Sequence, residues 1–447
     1  MKRRDFIKLT LLVSSYALVP SYSYATILDI SKINFSENIS RSNKAQTIII
    51  FTYGGASQLG GNLTNIDEIE KKSQNSYYDY FRGVTKTTNG CWQEAGGAHM
   101  ETLIANGDMT IFRCCFSQVR EDEGNKAHGV CTVQNQKGSF DDDGGGIITN
   151  IAQILKANNI VNENTLMPFV TMEGDSSFYL EGKMPLPGYL KPVGVDENFN
   201  NPYERYSKDW YYYTHAEREI EGYRDHDPAL STEMDNLAQS YNKEGKIKDA
   251  FASRGELASF IEEVKSSVVP DLGDDEYPNN SFAAKLKAAI KLLDKNPDTK
   301  IITLGTGGLG GWDDHNDARD YVSRMENLFQ SLKSAIAHLK AIGKNQNINI
   351  MVFGEFGRNV NLNSAYGWDH GNLQNFYLLG GQSYFNHKGV VGETVLSETG
   401  AINRLFLKPK SGTYWFEPLS IGATIYKIYG IENPEILTNG YGAIDIF

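Results

Sequence analysis

Three short segments in the last third of the chain gather side chains able to hold a cation or an oxyanion. They read Gly311-Trp312-Asp313-Asp314-His315, Gly354-Glu355-Phe356-Gly357-Arg358 and Asp369-His370-Gly371-Asn372. Two imidazoles, His315 and His370, with the carboxylates of Asp313, Glu355 and Asp369 suit a divalent cation such as Zn²⁺ or Mn²⁺, which takes nitrogen and oxygen ligands together. Arg358 adds a guanidinium that can clamp an oxyanion through two parallel N–H bonds. His128, in a separate segment after an earlier strand, belongs to a loop expected at the same place.

For these side chains to meet, the intervening elements must end at one edge. Apolar runs at Thr47 to Phe51, Met109 to Phe112, Pro168 to Met172, Lys300 to Leu304, Asn349 to Phe353 and Phe376 to Leu379 read as buried parallel strands, most of them followed by glycine turns. Between them, Ala318 to Ile342 carries apolar residues three or four apart and stops at Gly343. This order predicts an α/β fold, a three-layer, mostly parallel sheet with helices on both faces, whose ligands sit beyond the carboxyl ends of the strands. Residues 190–295 lack a clean period at first, are rich in tyrosine, and then turn helical near 231–247, 252–266 and 280–294. They are expected to form a largely helical insertion or cap.

The chain has 447 residues with net charge −12, which argues against a nucleic-acid binder held by phosphate contacts but leaves room for a local cationic pocket. Residues 1–25 combine Lys2-Arg3-Arg4, an apolar stretch and the small-residue end Ser23-Tyr24-Ala25, the pattern of a cleaved secretory signal. Arg3-Arg4-Asp5-Phe6-Ile7-Lys8 resembles a twin-arginine (Tat) motif, which implies export by the Tat translocase to the periplasm or the exterior. No membrane span is expected in the mature chain, residues 26–447. Cys91, Cys114, Cys115 and Cys131 fall close together, and in an exported protein one or two disulfides are expected. Asp141-Asp142-Asp143 reads as a turn and N-cap ahead of a helix starting near Gly146.

Together the three C-terminal segments, with Tyr53-Gly54-Gly55-Ala56-Ser57 and Ala127-His128-Gly129-Val130-Cys131-Thr132, resemble a bacterial exported family of unknown function, DUF1501, grouped with the alkaline phosphatase/sulfatase-like superfamily. The resemblance implies an alkaline phosphatase-like domain over 26–447 and hydrolysis of phosphate or sulfate esters with a divalent metal. It also implies that Asp313 and His315 form a ligand pair, that Glu355 and His370 stand at ligand positions, and that Thr132 or Cys131 stands at the nucleophile position. Two departures matter. The turn after the first strand offers Ser57 where related sequences place Asp, and Asp314 stands where they place Thr and could supply the missing carboxylate. The expected ligand is a small anionic ester or a glycan. The rival expectation is a non-catalytic envelope protein that binds a glycan or protein partner on the same scaffold.

Overall fold

The computed structural model describes residues 28–37, 44–73, 84–174, 176–182, 185–199, 260–399 and 404–447. The signal segment, the triple tyrosine at 211–213 and the helix expected at 231–247 lie outside the described residues. Among the described residues, eight strands form the central sheet in the order β10-β2-β9-β6-β1-β5-β3-β4. They are β1 (Gln46–Thr52), β2 (Met109–Phe116), β3 (Phe169–Thr171), β4 (Val193–Gly194), β5 (Ile301–Gly305), β6 (Ile348–Gly354), β9 (Leu373–Gly380) and β10 (Gly389–Val391). Two short ribbons stand beside it, β7 (Gly357–Arg358) with β8 (His370–Gly371), and β11 (Thr394–Thr399) with β12 (Arg404–Pro409).

β1 shows why this sheet is central. Its seven residues, rich in β-branched and aromatic types, are all buried. Alternation sends Ile48 and Ile50 into the core on one face and Ile49 and Phe51 into the core on the other. It pairs in parallel with β5 on one side (Ile49 opposite Thr303) and β6 on the other (Ile49 opposite Met351). Helices cover both faces, as the sequence predicts. On the first lie α2 (Ala98–Ala105), α6 (Ser281–Lys295) and α7 (Tyr321–Ala341), and on the second α5 (Ile147–Ala157) and α8 (Leu419–Ile428). Three further helices are α1 (Ile66–Lys72), α3 (Gln118–Glu123) and α4 (His128–Lys137). α6 begins where the Asn280 side chain accepts from Ala283 N–H at 2.8 Å, and α7 is followed by Gly343 at φ +69°.

Three expectations are corrected. The strand expected to be parallel at 376–379 is β9, which runs antiparallel to both β2 and β6. The chain leaves β6 at the carboxyl edge and makes the β7–β8 ribbon there, so β9 has to start from that edge and run back. Second, all four cysteines are free and buried, so no disulfide forms; Cys114 Sγ faces Glu393 O. Third, Asp141 to Asp143 do not cap α5, whose N-cap is Gly146; the carbonyls of Asp141 and Asp142 instead accept from Lys137 Nζ. Of the 190–295 stretch, the described ends are β4, an edge strand of the sheet, and α6, a core helix through Phe282, Leu286 and Leu293.

Phe51 carries the last inward ring of β1 before the turn at Gly54, and it packs on Tyr53 (4.8 Å between centroids), Phe353 (5.4 Å) and Phe178 (5.8 Å). Phe51→Ala should therefore cost about 3–5 kcal/mol of unfolding free energy. Denaturant titration checks this, and a loss under about 1 kcal/mol would mean the layer collapses around the gap without difficulty.

Candidate metal centre

The carboxyl edge of the sheet brings the motifs together. β1 delivers Gly54 and Gly55, β5 the loop to His315, β6 the turn to Arg358, and the reversed β9 is entered from His370. The segment after β2 returns to the same edge as α4, which opens with His128. Close backbone approach demands glycine at Gly54: φ is +107°, and a Cβ there would lie 2.5 Å from Asp313 N.

His128, Asp313, His315 and His370 each offer one ligand atom, and the four atoms lie within 4.8 Å of one another. The ring nitrogens facing away from this cluster are engaged. His128 Nδ1 meets Glu355 Oε1 at 2.5 Å and His370 Nδ1 donates to Lys126 O at 2.5 Å. His315 Nδ1 stands 3.5 Å from Asp369 Oδ1. These partners assign the proton to Nδ1 and leave the Nε2 lone pairs facing inward, the usual second layer around a metal-binding imidazole. Inside, His315 Nε2 and His370 Nε2 are 2.7 Å apart. His128 Nε2 is buried without a hydrogen-bond partner, although Asp313 Oδ1 lies 3.3 Å away, and the same oxygen is 3.4 Å from His315 Nε2. Converging lone pairs of this kind repel one another unless a proton or a cation lies between them, and three nitrogens with one carboxylate oxygen make a donor set that fits Zn²⁺ or Mn²⁺.

Burial first, and then the charge of Arg358 and the other two imidazoles, push His370 down to about 4, so its ring is neutral near pH 7. Burial pushes the Asp313 carboxyl up, but the hydrogen bond and charge of Arg358, with His128 and His315 beside it, leave it below the ordinary carboxylate range.

The remaining sequence-predicted residues fall around the cluster rather than in it. Glu355 is 2% exposed and stands behind His128: Oε1 also accepts from Gly54 N–H at 3.1 Å, and Oε2 accepts from the Thr132 hydroxyl at 2.9 Å. Thr132 follows His128 by four residues on α4, so both face Glu355 from one side of the helix. Cys131 is fully buried, and burial pushes its thiol up. Asp369 backs His315 and is itself met by Arg404 Nε at 3.0 Å. Asp314 turns away, ion-paired with Arg324, whose guanidinium lies over the Trp312 ring. It therefore does not supply the replacement carboxylate.

Arg358 does not present itself as an oxyanion clamp. Its side chain is wholly buried, with Nε donating to Gly55 O (2.8 Å), Nη1 to Trp368 O (3.0 Å) and Nη2 to Gly54 O, Trp312 O and Asp313 Oδ1 (2.7 Å). Sequence spacing carried no signal for three further contributors. Arg120 donates to Glu355 O at 2.9 Å, Asn135 to Gly354 O at 2.7 Å, and Gln58 brackets Arg358 by bonding both its carbonyl and its N–H. Gln58 and Asn135 are isolated amides, recognisable as supports only once the strand ends are adjacent.

A protein family described as a protein of unknown function (DUF1501) matches residues 198–400. No curated protein matches the chain. Among solved structures, Ps i-CgsB in complex with k-i-k-neocarrahexaose is 10% identical, with 89% of this chain and 74% of that one covered at a TM-score of 0.39. Alkaline phosphatase from the Antarctic bacterium TAB5 is 12% identical, with 86% and 98% covered and a TM-score of 0.36. The C-terminal periplasmic domain of EcEptC from Escherichia coli, in complex with Zn, is 9% identical, with 89% and 85% covered and a TM-score of 0.37. Likeness this slight carries no argument, and the fold rests on the strand order above.

Arg358→Lys should destabilise the fold by about 3 kcal/mol or more, because one ammonium cannot serve carbonyls on three loops and buried acceptors would lose their donors. Chemical unfolding tests this; a change within about 0.5 kcal/mol would show that the guanidinium network is dispensable.

Proposed function

We propose that the chain is an exported metal-dependent hydrolase-like protein acting on a phosphate or sulfate ester. One observation supports it above the others: three imidazole Nε2 atoms and the Asp313 carboxylate converge at the carboxyl edge of the sheet, with the far nitrogens of the three rings directed at Glu355, Asp369 and the Lys126 carbonyl. In this reading His128, Asp313, His315 and His370 hold one Zn²⁺ or Mn²⁺, while Glu355 and Asp369 orient ligands. A cation there would polarise an ester oxygen and favour a deprotonated nucleophile.

The side chains divide the remaining work. Thr132 is the better nucleophile candidate: its hydroxyl proton already points at Glu355 Oε2, a carboxylate able to receive it, whereas the Cys131 thiol is buried and held protonated. Arg358 fixes Asp313 and the glycine turn rather than touching the ester. The N-terminal signal pattern supports a periplasmic or extracellular location; no helix among the described residues is long and apolar enough to cross a membrane.

A second reading, a non-catalytic envelope protein that binds a glycan or protein partner, draws support from two features. Arg358 is consumed by the fold, and Ser57 caps the turn at Leu59 where the related family places a carboxylate.

Protein purified from an export-competent host should carry about one equivalent of zinc or manganese, and His315→Ala and His370→Ala should each lose it while remaining folded by circular dichroism. Lowering the pH should release the metal, since protons compete for the inward nitrogens. Against a panel of phosphate and sulfate esters, Thr132→Ala should keep the metal and lose about 10²-fold or more in kcat. Folded protein that takes up no metal and cleaves no ester would replace the first reading with the second.

A further inference from the structure

The β11–β12 ribbon lies against the metal centre, and its two faces differ. Leu405 and Leu407 are buried in the core, whereas Arg404, Phe406 and Lys408 alternate with them on the opposite face. That face meets the loops that hold the centre. Arg404 Nε lies 3.0 Å from Asp369 Oδ2, Lys408 Nζ lies 2.9 Å from Glu121 Oε1, and Lys126 Nζ sits 4.7 Å from the centre of the Phe406 ring. Lys126 Nζ is also 3.6 Å from Glu121 Oε2. The same loops touch the candidate ligands: the Lys126 carbonyl meets His370 Nδ1, and Asp369 Oδ1 stands 3.5 Å from His315 Nδ1.

Three cations thus share two carboxylates, Glu121 and Asp369. The side chains stay partly open to solvent, at 53% for Arg404, 34% for Lys408 and 25% for Lys126. On a chain of net charge −12, this is a local excess of positive charge beside the reacting centre. Arg358 cannot supply that charge to a ligand, because its nitrogens are committed to the fold.

We propose that Arg404, Lys408 and Lys126 form a recognition wall for a second anionic group, so that the preferred ester carries another acid group beside the one held at the metal. The inference rests on the hydrolase reading of the centre and adds the substrate class to it. Fixed cations of this kind discriminate through charge-assisted hydrogen bonds and are weakened by salt.

Two non-hydrolysable probes separate the claims: benzylphosphonate and its para-carboxy derivative, titrated calorimetrically into the zinc-loaded full chain. The para-carboxy compound should bind about tenfold tighter, with an advantage that shrinks as salt is raised. In Lys126→Gln/Lys408→Gln, which leaves the Arg404 contact with Asp369 in place, that advantage should nearly vanish while benzylphosphonate affinity holds. Lys408→Gln alone, which removes only the contact with Glu121, should reduce the advantage severalfold. Equal binding of the two probes to the parent, or an advantage that survives in variants retaining zinc, overturns the wall but leaves the hydrolase reading standing. If zinc binds and neither phosphonate does, the hydrolase reading fails and the wall falls with it.

Discussion

The buried guanidinium of Arg358 is the constraint on which the rest of the edge depends. A charge taken out of water is tolerated only when every donor finds a partner, and the partners available are backbone carbonyls of Gly54, Gly55, Trp312 and Trp368 with the Asp313 carboxylate. Those groups belong to the turn after β1, the loop after β5 and the approach to β8. Satisfying one side chain therefore fixes three loops relative to each other. It also places Asp313 Oδ1 between two imidazoles, because the oxygen that accepts from Arg358 is the one that faces His128 and His315.

A second condition is topological. In an all-parallel sheet, the segment after β6 would cross to the far edge before the next strand. Here the chain stays at the carboxyl edge, pairs Arg358 with His370 in the β7–β8 ribbon, and descends as the antiparallel β9. The reversal puts His370 within reach of His315 although the two are far apart in sequence. α4 completes the set from the other side, where His128 and Thr132, one turn apart, share the two oxygens of Glu355.

Much of this was legible because strand ends are marked by composition. The apolar runs at β1, β5 and β6, each followed by glycine, locate the edge, and the edge locates Asp313, His315 and Glu355. Spacing could not tell which way each side chain turns. Asp313 and Asp314 are neighbours, yet one joins the cluster and the other pairs with Arg324 over Trp312. Arg358 read as a ligand clamp because sequence shows a guanidinium beside carboxylates and hides the carbonyls that consume it. The cysteines suggested a bridge by number and compartment, whereas all four are buried as free thiols. The sense of β9 was hidden for a different reason: a buried strand has the same composition in either direction.

Charge balance links the pieces. Burial keeps His370 neutral near pH 7, so the four-atom cluster includes a nitrogen donor that does not carry a competing proton. Around the cluster, Asp313 is set against Arg358 and Asp369 against Arg404, while the buried Arg120 donates to the backbone carbonyl of Glu355, whose side chain is the third carboxylate. That carboxylate is tied to His128 on one oxygen and to the Thr132 hydroxyl on the other. A divalent cation added to such a set would make the local charge positive. On a chain whose overall charge is −12, the field at the edge would then be opposite in sign to that overall charge.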